Sequence, residues 1–475
     1  GTRTLTDPGN SLRLDLAFSG GGTIRLARLD YIEVQYQRNL NLASTGELHF
    51  FTNSTLPAAV KIAGADSSAI VWDITDQGNP MIVDASLSGS ELTFVTPSGT
   101  REYVAFLPDK CTRSITGGSR VANQDLHSLP VPDMLIIAPA AFRDAAERLA
   151  AHHRDFDRLT CHVIEPELIY NEFSSGTPDV TAFRRLLKMW YDRGLAAAAA
   201  PSDDDDDTPP STIKYCLILG RGTFDNKIKM DAAKNAGYPF VPIWESPTGE
   251  SQTSSYATDD YIGMLADCST FEIGKQKIQV AVGRMPFMST AEATYLTDKY
   301  INYVERPSTG SWRNRLMFVA DDQNQGDHLI QSEDMISSYT ATEAGRKFRI
   351  ERLYLDTFTL EQSSRGPTYP EAKEKMLRLW NDGVMMINYI GHASTVSWTH
   401  EDLLNWSDIS SFSNRNFPFL YAATCEFGRF DASARSGAEA LWAYSDAGII
   451  GTVTPCRTRD IAKKRKRNPR VGGAL

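Results

Sequence analysis

Up to about residue 128 the apolar positions alternate with polar ones in short runs. LRLDLAF (12–18), YIEVQYQ (31–37), ELHFF (47–51), AIVWDI (69–74) and REYVAFL (101–107) are rich in β-branched and aromatic residues, and Gly, Asn, Asp, Ser and Pro separate them. The pattern predicts an antiparallel, sandwich-like β-rich domain over 1–128, read as a packing or binding module. From residue 129 the grammar changes. DMLIIAPA (133–140), CHVIEP (161–166), YCLILG (215–220), KIQVAVGR (277–284), RLMFVADD (315–322), FRIERLYL (348–355), VMMINYIGH (384–392), FPFLYAATC (417–425) and GIIGTVTP (448–455) read as buried strands. Segments with helical spacing lie between them, over 141–156, 290–305, 332–347, 371–382 and 436–447. A further helix follows Asp179, a plausible N-cap, and is expected to stop at Gly194. Strand–helix alternation predicts a large α/β domain over 129–456 with a mostly parallel sheet.

Two segments differ in kind. AAAAAPSDDDDDTPPS (196–211) is acidic and of low complexity, a solvated surface insert with no EF-hand spacing. The tail over 457–475 is strongly basic and has no fold signal, and it reads as an aberrant or truncated end. Composition narrows the classes. Of 475 residues, 41% are hydrophobic, enough for several cores, and no apolar run approaches membrane-spanning length. A net charge of −10 argues against nucleic acid as a partner of the whole chain. Six cysteines without a CxxC pair fit neither a disulfide scaffold nor a zinc ribbon. GTRTLTDPGN lacks the basic and apolar regions of a signal peptide, so the chain is either not exported or has lost its signal.

Ligands of open α/β sheets bind beyond the carboxyl ends of the strands. His392, after Gly391, and Cys425 both end predicted strands, 33 positions apart. If those strands are neighbours, an imidazole can take the thiol proton and later protonate a leaving amine. The backbone N–H groups of Ala393 and Cys425 are the candidate oxyanion donors. The plainer alternatives are a small core cysteine and a satisfied turn histidine.

These residues carry a resemblance. NYIGHAS (388–394), Trp398 and PFLYAATCEFGRFD (418–431) resemble the gingipain-type cysteine peptidases, a caspase-like fold. So do TDDYIG (258–263), VAVGRMP (280–286), YCLILGRGTFD (215–225) and the segment over 168–191. ATCEFGRFD and WTHEDLLNWSDI are most similar to the sortase branch of that family, which serves the type IX secretion system. One departure is Ala393, where the family pattern has glycine. The resemblance implies Cys425 as nucleophile and His392 as base. It implies removal of a C-terminal sorting domain from cargo proteins and attachment of the cargo to anionic lipopolysaccharide. The implied place is the outer surface of a Gram-negative outer membrane, with an outer-membrane shuttle and companion secretion proteins as partners. A gingipain-like protease that only hydrolyses and an inactive scaffold of the secretion machinery are the competing readings.

Gingipain-like proteins carry an acid near TDDYIG, so Asp259 is preferred to Asp260 for orienting His392, with helix capping and surface roles as alternatives. Asp260, Glu426 and Trp398 are candidates for a substrate pocket, and each has a plain role in packing or solvation. Asp321, Asp322, Asp327 and His328 follow a strand and are site candidates, though a hydrogen-bonded turn is the simpler reading. No cofactor is required; clustered carboxylates of this kind suit a structural calcium, and no metal is assigned. His152 and His153 read as a solvated helix face. His400-Glu401-Asp402 reads as a helix start. GRGTFD (220–225) lacks GxxxxGK[ST], so no nucleotide is expected.

Overall fold

Period-two burial shapes the first unit. In a computed structural model, which describes residue 15 and residues 32–111, 117–118, 120–199, 212–247, 255–268, 271–364 and 366–457, the chain divides into units 1–122 and 123–475. The first unit holds β1 (Glu47–Ser54), β2 (Ala58–Ala63), β3 (Ile70–Asp73), β4 (Met81–Ile82), β5 (Ser86–Ser88), β6 (Glu91–Thr96) and β7 (Gly99–Phe106). They form two antiparallel sheets, β1-β7-β3-β4 and β2-β6-β5. Alternate residues Leu48, Phe50, Val60, Ile62, Leu92, Phe94 and Tyr103 meet between them. The buried Tyr103 hydroxyl is satisfied by Thr96 Oγ1 at 2.8 Å. One expected strand does not form: residues 32–37 are exposed and irregular. The run over 12–18 lies outside the described residues apart from Asp15.

The second unit contains two parallel sheets where the strand–helix grammar implied one. The first is built from β8 (Met134–Ile137), β9 (Cys161–Ile164), β10 (Tyr215–Leu219) and β11 (Ala281–Met285), in spatial order β11-β10-β8-β9. The second is built from β12 (Arg315–Ala320), β13 (Arg349–Tyr354), β14 (Met386–Ile390), β15 (Phe419–Ala423) and β16 (Gly451–Val453), in order β13-β12-β14-β15-β16. Counted along the chain, both sheets begin 2-1-3-4. Each therefore has a topological switch point between its first and third strands, where ligands of such sheets bind.

Helices cover both faces, which is why β8 and β14 are buried at every position. α1 (Arg143–Asp155) and α4 (Thr290–Glu305) cover one face of the first sheet, and α2 (Pro166–Phe173) and α3 (Val180–Ala199) the other. α5 (Asp327–Thr340) covers one face of the second sheet, and α6 (Pro370–Asp382) and α7 (Gly437–Ala443) the other. Asp179 does cap α3, accepting from the Thr181 N–H at 2.8 Å. Gly194 does not end it: the following Leu-Ala run has high helix propensity and carries the helix to Ala199. The acidic run over 201–211 and the tail beyond residue 457 lie outside the described residues.

Candidate active site

The register of two strands builds the site. β14 and β15 run parallel, with Ile390 opposite Ala423. His392 and Cys425 therefore stand two residues beyond the same rung, on strands about 4.8 Å apart. Both are half-buried, reachable from solvent yet rooted in the core.

The Cys425 turn is tight. The Phe427 N–H donates to the Cys425 carbonyl at 2.6 Å, which places Glu426 at φ +51°. A left-handed non-glycine residue of this kind costs on the order of 1–3 kcal/mol and needs support from its surroundings. Phe427 supplies it. Its ring is buried and packs where a Cβ on Gly437 would stand, and its carbonyl accepts from Ala438.

The His392 loop is held at its backbone. The His392 N–H donates to Asp321 Oδ2 at 2.8 Å, and its carbonyl accepts from the Thr399 N–H at 2.9 Å and from the Tyr389 hydroxyl. A Cβ at Gly391 would meet Tyr389 Oη at 2.5 Å and Asp321 Cβ at 2.6 Å, so only glycine passes here. The Asn324 amide lies 3.0 Å from His392 Nε2 and 3.1 Å from His328 Nε2. It can donate to a ring nitrogen or, turned over, accept from it, and either way it fixes the ring plane. Asp321 and Asn324 follow β12, so the histidine sits at the switch point of the second sheet. Ala393 is bridged to Trp398, with the two hydrogen bonds on either side of it, Ser394 to Ser397 and Thr399 to His392. In such a wide pair the Ala393 N–H points away from the partner strand.

The other predicted residues are placed as follows. Asp259 is held by Arg284 through two contacts of 2.7 and 2.8 Å. Arg284 also donates to the Gly220 carbonyl at 2.9 Å and lies over the Phe430 ring. Asp259 thus belongs to the carboxyl edge of the first sheet, where it positions an arginine under the loop that follows Cys425. Asn324 reaches the His392 ring by hydrogen bond, and the rings of His328 and His400 stand edge-on to it at 5.4 and 5.8 Å. Asp260 opens a one-turn helix, its N–H donating to Thr258 Oγ1. Trp398 is wholly buried and stacks on Tyr389 at 4.2 Å, which puts it in the packing behind the histidine loop and not on a pocket wall. Glu426 sits 3.9 Å from Arg429. His152 and His153 are buried, not solvated, because Glu305 and Asp157 satisfy one nitrogen of each. His400-Glu401-Asp402 forms a turn without a helix, and Glu401 is buried.

The sequence reading missed Arg221. It is wholly buried and grips Glu439 at 2.7 and 3.0 Å and the carbonyls of Ala432 and Ala434 at 2.6 Å. Glu439 in turn closes the capping box of α7 with Ser436. Asp431 is also wholly buried and pairs with Arg457. The loop after the cysteine is therefore fastened to the first sheet by charge. Burial pushes Glu245 beside it up to about 7, with Asp431 adding to the shift and Arg457 opposing it.

One acidic cluster adjoins the histidine. Carboxyl oxygens of Asp321, Asp322 and Glu401 lie within 4.8 Å of one another. Burial, and then neighbouring Asp322, raise Asp321 to about 6. Asp322 Oδ1 and Glu401 Oε2 are buried with no hydrogen-bond partner.

The sequence profile of peptidase family C25 matches residues 127–464, more than two thirds of the chain. The chain belongs to that family of cysteine peptidases. Among solved structures it is similar to dimeric latent PorU from Porphyromonas gingivalis, at 27% identity and a TM-score of 0.49, over 57% of this chain and 26% of that one. It therefore spans about a quarter of the PorU chain. It is also similar to the Arg-specific cysteine proteinase gingipain R (RGPB), at 16% identity and a TM-score of 0.51, over 74% of this chain and 68% of that one. The second likeness shows a gingipain-type fold. No curated protein matches. Among the described residues, no helix is long and apolar enough to cross a membrane.

Proposed function

We propose that this chain is the peptidase part of a sortase-type transpeptidase of the type IX secretion system. The observation that carries the reading is the shared register of His392 and Cys425 at one sheet edge. The Cys425 sulfur attacks the carbonyl carbon ahead of a cargo protein's C-terminal sorting domain. His392 takes the thiol proton and passes it to the departing amine, leaving the cargo as a thioester. The backbone N–H groups of Ala393 and Cys425 would serve the oxyanion. An amine of anionic lipopolysaccharide then displaces the sulfur and gives its proton to His392, which restores the thiol. The preference for transfer rests on the ATCEFGRFD and WTHEDLLNWSDI segments. The proposed setting is the outer-membrane surface, beside a shuttle barrel and companion secretion proteins.

The partial exposure of both residues favours a second reading, hydrolysis alone, since water reaches the thioester. A cargo peptide spanning the sorting-domain junction, incubated with and without an amine acceptor, separates the readings. An amide-linked product supports the sortase. Cleavage with no transfer supports the hydrolase, and no processing leaves a scaffold.

A structural calcium would find oxygen donors in Asp321, Asp322 and Glu401, two of whose oxygens are buried without a hydrogen-bond partner. When bound, it would neutralise charge at the root of the His392 loop. Chelation should then lower the melting temperature of the wild type and leave an Asp322→Asn, Glu401→Gln variant unmoved. Equal response of the two would remove the ion from the proposal.

A further inference from the structure

On the face of the first sheet that α1 and α4 cover, where α1 ends, two consecutive histidines are both buried: His152 is 5% exposed and His153 8%. Successive positions on a helix diverge by about 100°. Yet the two rings lie 5.2 Å apart, both against Tyr300. Each offers one nitrogen to a carboxylate. His152 Nδ1 is 2.8 Å from Glu305 Oε1 at the end of α4, and His153 Nδ1 is 2.6 Å from Asp157 Oδ2 just past α1. Ligand atoms of His152, His153 and Asp157 all lie within 4.8 Å of one another.

Hydrogen bonding alone leaves a debt. With Nδ1 committed to Glu305, His152 Nε2 is a buried ring nitrogen with no partner. A buried polar atom in that state has lost its water and gained nothing in return. A metal ion would take its lone pair, and Glu305 would then be the outer carboxylate that orients a ligating imidazole. Asp157 and Glu305 are each roughly 40% exposed on their side chains, so the cluster has a path to solvent. Two imidazoles and a carboxylate suit zinc and its first-row neighbours, not calcium or magnesium.

We propose that His152, His153 and Asp157, with Glu305 behind His152, form a site for a zinc-class divalent ion. Such an ion would pin the end of α1 to the end of α4, away from the Cys425–His392 pair and independent of its chemistry. Ligand atoms no more than 4.8 Å apart approach the spacing of a tetrahedral shell, and the exposed Asp157 side chain is free to move toward an ion.

The test is a titration of the metal-stripped full chain with zinc by calorimetry and with cobalt by visible absorption. One ion per chain is expected, with cobalt bands of nitrogen–oxygen ligation and a rise in melting temperature. His153→Gln should weaken binding by more than tenfold, and Glu305→Gln by about 10–100-fold. Should His153→Gln not fold, Asp157→Asn, altered at a surface side chain, takes its place. No binding to the folded wild type, or binding equal in wild type and variants, overturns the assignment.

Discussion

The two parallel sheets share a strand order and differ in what their carboxyl edges hold. At the switch point of the second, His392 and Cys425 stand half-buried at the surface, with left-handed backbone at Glu426 and Asn324. At the edge of the first, Arg221, Arg284 and Asp259 close the crevice with ion pairs and carbonyl contacts. One edge carries chemistry and the other holds the loop that presents it. Shared topology offers two crevices, and the side chains decide which stays open. Strain at Glu426 is tolerable because charged groups of the other sheet over-determine the segment after it.

Two substitutions test this division at its extremes. His392→Ala should lower turnover by about 10²–10⁴-fold while leaving the denaturation midpoint nearly unchanged, since the residue is only partly buried. A large loss of stability instead would make the histidine a structural member. Arg221→Met should do the reverse. It leaves the Glu439 carboxylate buried without its partner, and chemical denaturation should show a loss of about 3–5 kcal/mol. A loss below about 1 kcal/mol would mean that the first edge does not fasten the loop.

The smallest effect concerns Glu245, whose value is raised to about 7 from an ordinary 4.5. The folded state holds this proton more tightly than the unfolded one. Its stabilising contribution is therefore complete below about 4.5 and is lost as pH rises through about 7. Melting temperatures from pH 4 to 8 should fall less steeply in Glu245→Gln than in wild type. Parallel curves would remove Glu245 from the charge network at the first edge.

Much of the second edge was legible in the sequence. MINYI and FLYAA read as buried strands because both faces are covered, and a histidine and a cysteine directly after such runs fall on the edge where ligands bind. The division into two sheets was not legible, because strand–helix alternation is the same whether or not β12 pairs with β11. Nor was Arg221, since the carboxylate and carbonyls that satisfy most of its guanidinium, from Glu439, Ala432 and Ala434, lie more than 200 positions away. Asn324 was hidden in a polar turn of which only the carboxylates and His328 drew notice. The burial of His152 depends on Glu305, 153 residues later, so helix position alone pointed it to solvent.

The most direct test of the central claim is covalent capture by a peptidyl electrophile, followed by intact mass and peptide mapping. Exposed Cys268 serves as an internal control. One adduct on Cys425 is predicted, formed far faster than on Cys268, absent in Cys425→Ala and slowed about 100-fold or more in His392→Ala. Capture of Cys425 at the same rate with and without the imidazole would contradict the pairing from which the mechanism is built.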